Sequence, residues 1–208
     1  MIETIITYGE TFITIMNEGG LVMWVLFFLN LMLWYGLGYR RLILRRGTLN
    51  NVRLMVREHV NQGEQQVFRS ILDYAIVDAL NAAAAARSIG KKPRKYIDDA
   101  LWPHRQSIGK FAVLVKTIVV LAPLIGLLGT VIGMIETFDA LQNSAMFAQG
   151  DSISGGISTA LFTTELGLIV AVPGLIIGRM LDRQEKRFAL ELEQITDIIS
   201  TKETNREI

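Results

Sequence analysis

Thr130, Thr164 and Glu165 are polar side chains set inside runs that are otherwise apolar, and the stretch ALFTTELGLIVAVPG at 160–174 holds two of them. A carboxyl group exchanges a proton, and a threonine hydroxyl both donates and accepts a hydrogen bond. Carboxyls and hydroxyls at one level of a membrane are what a proton path requires, so the chemistry open to this set is proton transfer rather than bond making. Thr137 stands seven residues after Thr130, and Thr159 five before Thr164. An ionised carboxylate facing lipid is costly, so Glu165 has to face a protein interior or water, pair with another group, or carry a proton. On a helix it is turned about 100° from Thr164, beside Ser158 and Leu168 or Ile169. Glu165 is therefore a candidate for a polar site or a subunit contact, as are Thr159 and Thr137.

Other chemistries find no residues to work with. Cysteine is absent, which removes disulfides and thiolate metal sites. His59 and His104 lie far apart without metal-ligand spacing and read as ordinary histidines. No phosphate loop, nucleophile elbow or dinucleotide fingerprint occurs, so an enzyme is not expected and no cofactor is implied. With 21 Lys and Arg against 20 Asp and Glu the net charge is +1, and nothing argues for nucleic acid.

The elements that position the polar residues are membrane spans. Half of the 208 residues are hydrophobic, which is high for a soluble domain. A first apolar run at 21–39 is closed by Arg40, Arg41, Arg45 and Arg46 and is long enough to cross a bilayer. The preceding 1–20 carries Glu3, Glu10 and Glu18 but no Lys or Arg, unlike a signal peptide, and 2–16 reads as an amphipathic helix on the outer surface. The second span is 117–135, with Pro123 inside it. The third must be longer than its purely apolar part, because Leu166 to Gly178 would cover only roughly 20 Å of a core about 30 Å thick. The span, 157–178, must therefore reach back at least to about Thr159, and counted from Thr159 Glu165 lies roughly 9 Å below the outer boundary.

Basic residues crowd the inner ends of every span and are missing from 1–20 and 136–156. By the positive-inside rule these two segments are periplasmic, whereas 40–116 and the tail 179–208 are cytoplasmic. The cytoplasmic segments 50–60, 65–86 and 187–200 space apolar residues three and four apart, as helices do. Gly63, GKKPRK at 90–95 and Pro103 are the expected breaks. No breaker separates the third span from the tail, so one long helix is expected there. The fold expected is an all-α membrane protein with three transmembrane helices and long cytoplasmic helical extensions.

Small residues recur at helical spacing in two spans. Ala122, Gly126, Gly129 and Gly133 form one stripe, and Gly156, Ala160, Thr164, Gly167, Ala171, Gly174 and Gly178 form the other. Such stripes let helix backbones come close in lipid. Thr130 and Thr164 each fall roughly 8 to 9 Å from the outer boundary in antiparallel spans, and so share a layer. Each threonine can also be read as bonding its own helix one turn back.

APLIGLLGTVIGMIETF at 122–138 and GGISTALFTTELGLIVAVPGLIIGRMLDR at 155–183 resemble the ExbB/TolQ/MotA proton-channel family, most closely its ExbB branch. Three spans with an outward N-terminus agree with ExbB and TolQ, whereas MotA has four. The resemblance implies a subunit of the bacterial inner (cytoplasmic) membrane that forms a homopentamer around single-span ExbD-like subunits. It further implies that proton flow energises a TonB-like protein, and through it outer-membrane uptake of iron chelates, haem or vitamin B12. The family's pore threonines match Thr130 and Thr164. Its span-three glutamate falls at Thr159, and its proton-bearing aspartate belongs to the ExbD-like partner. The alternatives are a TolQ-like subunit of the Tol-Pal envelope system and a non-conducting membrane scaffold. A solute transporter ranks below both, because three spans without an inverted repeat frame no midplane site.

Overall fold

The computed structural model describes residues 10, 13, 14, 16, 17, 19–45, 51–62, 70–143 and 150–204. Among them every regular element is a helix: α1 (Gly20–Ile43), α2 (Val52–Gln62), α3 (Ile71–Ser88), α4 (Pro93–Ile108), α5 (Ala112–Asn143) and α6 (Gly150–Thr204). Three of the helical stretches are long and apolar enough to cross a membrane, and they contain the three apolar runs of the sequence. Most of 1–20, together with Gly63 and 144–149 of the loop, lies outside the described residues. Within the first of these segments Thr14 donates to the Glu10 carbonyl at 2.9 Å, a bond of helical spacing. The third span and the tail form one unbroken helix of about 80 Å, as the absence of a breaker before Arg179 leads one to expect.

The chain divides into two compact units. In the first, residues 113–178 fold as the antiparallel pair of α5 with the first half of α6, and the glycines set the distance between them. A Cβ on Gly126 would lie 2.9 Å from the Thr163 carbonyl oxygen, and one on Gly167 would lie 2.8 Å from that of Ala122. Further along, a Cβ on Gly133 would meet the Ala160 backbone nitrogen at 2.9 Å. Backbones can come this close only where no side chain intervenes, which in lipid supplies the dispersion that a hydrophobic effect supplies in water. Leu33 of α1 joins the pair at Gly174, where a Cβ would stand 2.8 Å from it and from Val119.

In the second unit α3 and α4 pack together through the tight turn that joins them. Ser70 caps α3, with its backbone N–H donating to the Asp73 carboxylate at 2.9 Å. The helix buries Leu72, Ala75, Ile76, Ala79, Ala83 and Ala86, so the alanine run serves close packing as well as helix propensity. It ends at Gly90, whose φ of +67° suits a residue without a Cβ, and α4 restarts with Pro93 at its first turn. The tail of α6 buries Phe188, Leu192, Ile195 and Ile199. It is tied to α4 by an Arg94 to Asp197 ion pair at 3.0 Å and by the Thr196 hydroxyl donating to Asp98 at 3.3 Å.

One expected break is absent and another is found in its place. Pro103 lies inside α4, which runs on to Ile108. Ile97 and Leu101 before the proline and Ile108 after it are all buried, so both halves are held against the same core while the proline itself is exposed. The missing backbone bond is thus left to solvent. The break falls instead at 109–111, where Phe111 adopts a φ of +63°. Its ring stands edge-on to Tyr39 at 5.0 Å, with the Lys110 ammonium 5.4 Å from the Tyr39 ring centre. Aromatic packing holds there a conformation that its backbone alone disfavours.

Arg40, expected as one of several basic residues at the inner end of a span, is 1% exposed. Its Nη2 donates to Asp182 at 2.9 Å and to Glu185 at 2.6 Å, tying the end of α1 to α6. Its Nε and Nη1 are buried with no hydrogen-bond partner among the described residues. The two histidines are structural: His59 Nδ1 bonds the Met55 carbonyl at 2.8 Å and His104 Nε2 bonds Asp78 at 2.7 Å.

Candidate functional site

The polar residues of the spans are sorted by the seam between α5 and α6. On α6 the seam is made by Gly156, Ala160, Thr163 and Gly167, and on α5 by Gly126, Gly129 and Gly133. Thr163 is wholly buried, and a Cβ on Gly129 would collide with its side chain. The Thr163 hydroxyl donates to the Thr159 carbonyl at 3.0 Å and to that of Ala160 at 3.1 Å, so it is spent within its own helix. Thr137 is buried in the same seam, opposite Gly156, and donates to the Gly133 carbonyl at 2.8 Å.

Thr130 and Thr164 stand one residue past Gly129 and Thr163, which turns each about 60° off the seam centre. Because the helices are antiparallel, a turn in the same sense along each chain carries both threonines to the same flank. The register that sets Gly126 against Thr163 to Gly167, and Gly133 against Gly156 to Ala160, puts Thr130 level with about Leu161, so Thr164 lies within about one helical turn of it in depth. Both are half-buried. Their flank is open, with Leu168 and Leu175 50% and 44% exposed, whereas Val170 on the opposite flank is 1% exposed.

The hydroxyls are oriented by their own helices. Thr130 Oγ1 donates to the Leu127 carbonyl at 2.6 Å, and Thr164 Oγ1 donates to that of Ala160 at 3.1 Å. This is the local bond that a membrane threonine commonly makes, and it commits the single O–H. Two lone pairs on each oxygen are left facing outward, so the flank offers hydrogen-bond acceptors to a carboxylic acid or to water.

Neither carboxyl-related position shares this surface. Thr159 is buried and turned about 140° from Thr164. Glu165 is exposed on the side of α6 away from α5, among Leu161, Leu168 and Val172. Among the described residues no group of three or more His, Asp or Glu side chains is placed to hold a metal ion.

The profile of the MotA/TolQ/ExbB proton channel family matches residues 45–194. That covers the second and third spans, both threonines and helices α2 to α4. The chain belongs to this family. It is similar to an ExbB-like biopolymer transport protein of Synechocystis, with 36% identity over 107 residues that make up 50% of this chain and 51% of that one. The biopolymer transport protein exbB1 of Vibrio cholerae is 32% identical over 87 residues, 42% of this chain and 38% of that one. An ExbB homolog of Methanothermobacter thermautotrophicus is 28% identical over 203 residues, 89% of this chain and 70% of its own length. The chain spans about half the length of the first two curated relatives it matches. It is a multi-pass membrane protein of a proton-channel family.

Within this family member two features escaped a reading of the residues alone. Thr163 is one: the TT doublet puts its two members about 100° apart and so forces a choice of face, which spacing alone does not make. The Arg40 cluster had as its signal only that Asp182 and Glu185 lie three apart on one helix face. The seam also makes a packing prediction. Gly129→Ala is expected to destabilise the spans by about 1 to 3 kcal/mol through overpacking, and Thr163→Gly in the same chain should restore most of the loss. Thermal unfolding of the purified complex in detergent measures both, and a Gly129→Ala chain as stable as the parent would refute the close contact.

Proposed function

We propose that this chain is the ExbB-like subunit of a proton-driven complex in the bacterial inner membrane. Several copies, five by the family resemblance, surround single-span ExbD-like subunits, and the proton flow energises a TonB-like protein for outer-membrane uptake of iron chelates, haem or vitamin B12. The observation that carries the reading is the open flank on which Thr130 and Thr164 stand within about one helical turn of each other, each with its O–H committed to its own helix and its lone pairs turned outward. A partner helix bearing a carboxylic acid would find there two acceptors about one helical turn apart in depth, between apolar side chains that exclude bulk water. The names of the relatives, which speak of biopolymer transport, point the same way. Each proton crossing 100 mV releases about 2.3 kcal/mol, enough for one or two per step to drive a small rotation.

Proton flux into vesicles tests the proposal. Vesicles holding this chain with an ExbD-like subunit should acidify under an imposed potential, and vesicles holding either alone should not. Absence of flux from the assembled pair would leave a non-conducting scaffold instead.

The orientation proposed places 40–116 and 179–208 in the cytoplasm, because Lys and Arg flank every span on that side. Cysteines introduced at 50 and 200 should resist a membrane-impermeant thiol reagent in intact spheroplasts, and one at 147 should react. Labelling of 50 and 200 with protection of 147 would invert the topology.

A further inference from the structure

His59 is placed by one ring nitrogen and left incomplete at the other. Nδ1 stands 2.8 Å from the Met55 carbonyl oxygen, one turn back on α2. A carbonyl oxygen only accepts, so Nδ1 must carry the hydrogen, and in the neutral ring Nε2 is then a bare lone pair. That nitrogen is buried with no hydrogen-bond partner among the described residues. What it faces is another acceptor: Oδ1 of Asp73, 3.8 Å away, with the two side chains 9% and 8% exposed. The second carboxylate oxygen is engaged, since Oδ2 accepts from the Ser70 backbone N–H at 2.9 Å and from its hydroxyl at 3.3 Å. Two acceptors so enclosed repel, and 3.8 Å is too long for a hydrogen bond. One proton on Nε2 turns the first into a donor and supplies the missing bond. His104 shows the contrast, because its Nε2 already lies 2.7 Å from Asp78, whose side chain is 52% exposed.

We infer that His59 and Asp73 form a buried proton-binding site, filled as the pH around it falls, that latches α2 to the start of α3. The ligand is a proton alone, since among the described residues no third His, Asp or Glu joins the pair to hold a metal ion. The other ionisable groups on the neighbouring elements are in water or farther off. Arg53, Arg57 and Glu58 on α2 and Tyr74 and Asp78 on α3 are exposed. From α6, Glu191 and Asp197 line a cleft with Asn51, Val52 and Arg53, roughly 9 Å along α2 from His59. The group that a proton on Nε2 meets is therefore Asp73. The element so governed is α2, which touches α3 at few points, whereas α3 and α4 pack along their length. Its 11 residues are too few to hold a helix unaided, so its order depends on docking. Imidazole changes charge between about pH 5 and 8, which sets the latch to answer near neutrality. By the proposed orientation that pH is the cytoplasm's, the side to which a proton path delivers.

The full chain, assembled with an ExbD-like subunit in lipid vesicles, is tested in two ways. Labelled with 15N-histidine, its two histidines give two sets of ring signals, told apart by His104→Gln. The His59 ring is expected at about pH 8 with hydrogen on Nδ1 and none on Nε2, and at about pH 5.5 with hydrogen on both. The reverse tautomer at pH 8 overturns the site. The second readout is hydrogen exchange of the α2 amides, corrected for the intrinsic effect of pH. It should slow at least about fivefold between the same two pH values, as one charge-assisted bond is gained, while the α4 amides stay unchanged. His59→Gln should abolish the response. Asp73→Asn should reverse it, because the asparagine oxygen still accepts from Ser70 while its amide donates to the bare Nε2 and opposes the protonated ring. An unsubstituted chain whose α2 exchanges alike at both pH values overturns the latch, as does a His59→Gln chain that keeps the full response. Neither readout needs proton flux, so failure here leaves the proposed function standing, and absence of flux leaves the latch standing.

Discussion

Thr164→Val is expected to abolish partner-dependent proton flux, with a loss of at least about tenfold, while the complex assembles at its normal copy number. A tenfold loss is only about 1.4 kcal/mol of barrier, and the substitution removes an acceptor from a layer where water is scarce. Valine has nearly the outline of threonine, and Thr164 is half-buried at the edge of the seam rather than in it, so packing is little disturbed. What disappears is the oxygen whose O–H is fixed on the Ala160 carbonyl and whose lone pairs face the open flank. Thr130→Val should behave alike for the same reason. The contrast is Thr163→Val: this hydroxyl donates only into its own helix beneath Gly129, so flux should survive with a modest loss of stability.

Glu165→Gln completes the series, since it removes the charge and keeps hydrogen bonding. Partial activity is expected, because the carboxyl faces away from the threonine flank. Uptake of an iron chelate driven by the proton motive force, in cells whose complex is verified by native electrophoresis, reads all four variants. Normal transport by Thr164→Val alongside a dead Glu165→Gln at equal assembly would reverse the roles assigned to the two neighbours.

The second large effect concerns Arg40, and its sign depends on which partner is removed. Asp182→Ala with Glu185→Ala strands a guanidinium that is 1% exposed, already with two nitrogens unpaired among the described residues, and should cost about 3 to 5 kcal/mol. Arg40→Met should cost clearly less. The carboxylates it leaves behind are 25% and 29% exposed and can be hydrated where they stand, while methionine fills much of the arginine's apolar volume. Chemical denaturation of the purified complex compares the two. Equal losses would show that the carboxylates are as poorly hydrated as the arginine.

Much of the architecture was legible because it follows from local rules. Apolar length and the position of arginines suffice to place three spans. Periodicity suffices for the helices outside the spans, and Gly90 followed by Pro93 marks the turn between α3 and α4. The continuity of α6 past Arg179 needed only the absence of a breaker. The glycine stripes and the two threonines were visible too, since helical spacing puts residues on faces without reference to any neighbour.

What the tertiary structure decided was which face meets which. The sequence places Thr164 in the small stripe, but the seam takes Thr163 and leaves Thr164 on the open flank. That choice is a rotation of about 100°, and it depends on where the α5 glycines press. Pro103 reads as a break and is not one, because Ile97, Leu101 and Ile108 bind both halves of α4 to a single core. Phe111 carries no turn signal and yet makes the turn, since Tyr39, distant in sequence, packs its ring. Arg40 reads as a solvated charge at a span's end, and only the approach of α6 with Asp182 and Glu185 lets it be buried. Local preference is written into each residue, whereas burial and facing belong to pairs of helices, and the identity of a pair is settled only when the chain has packed.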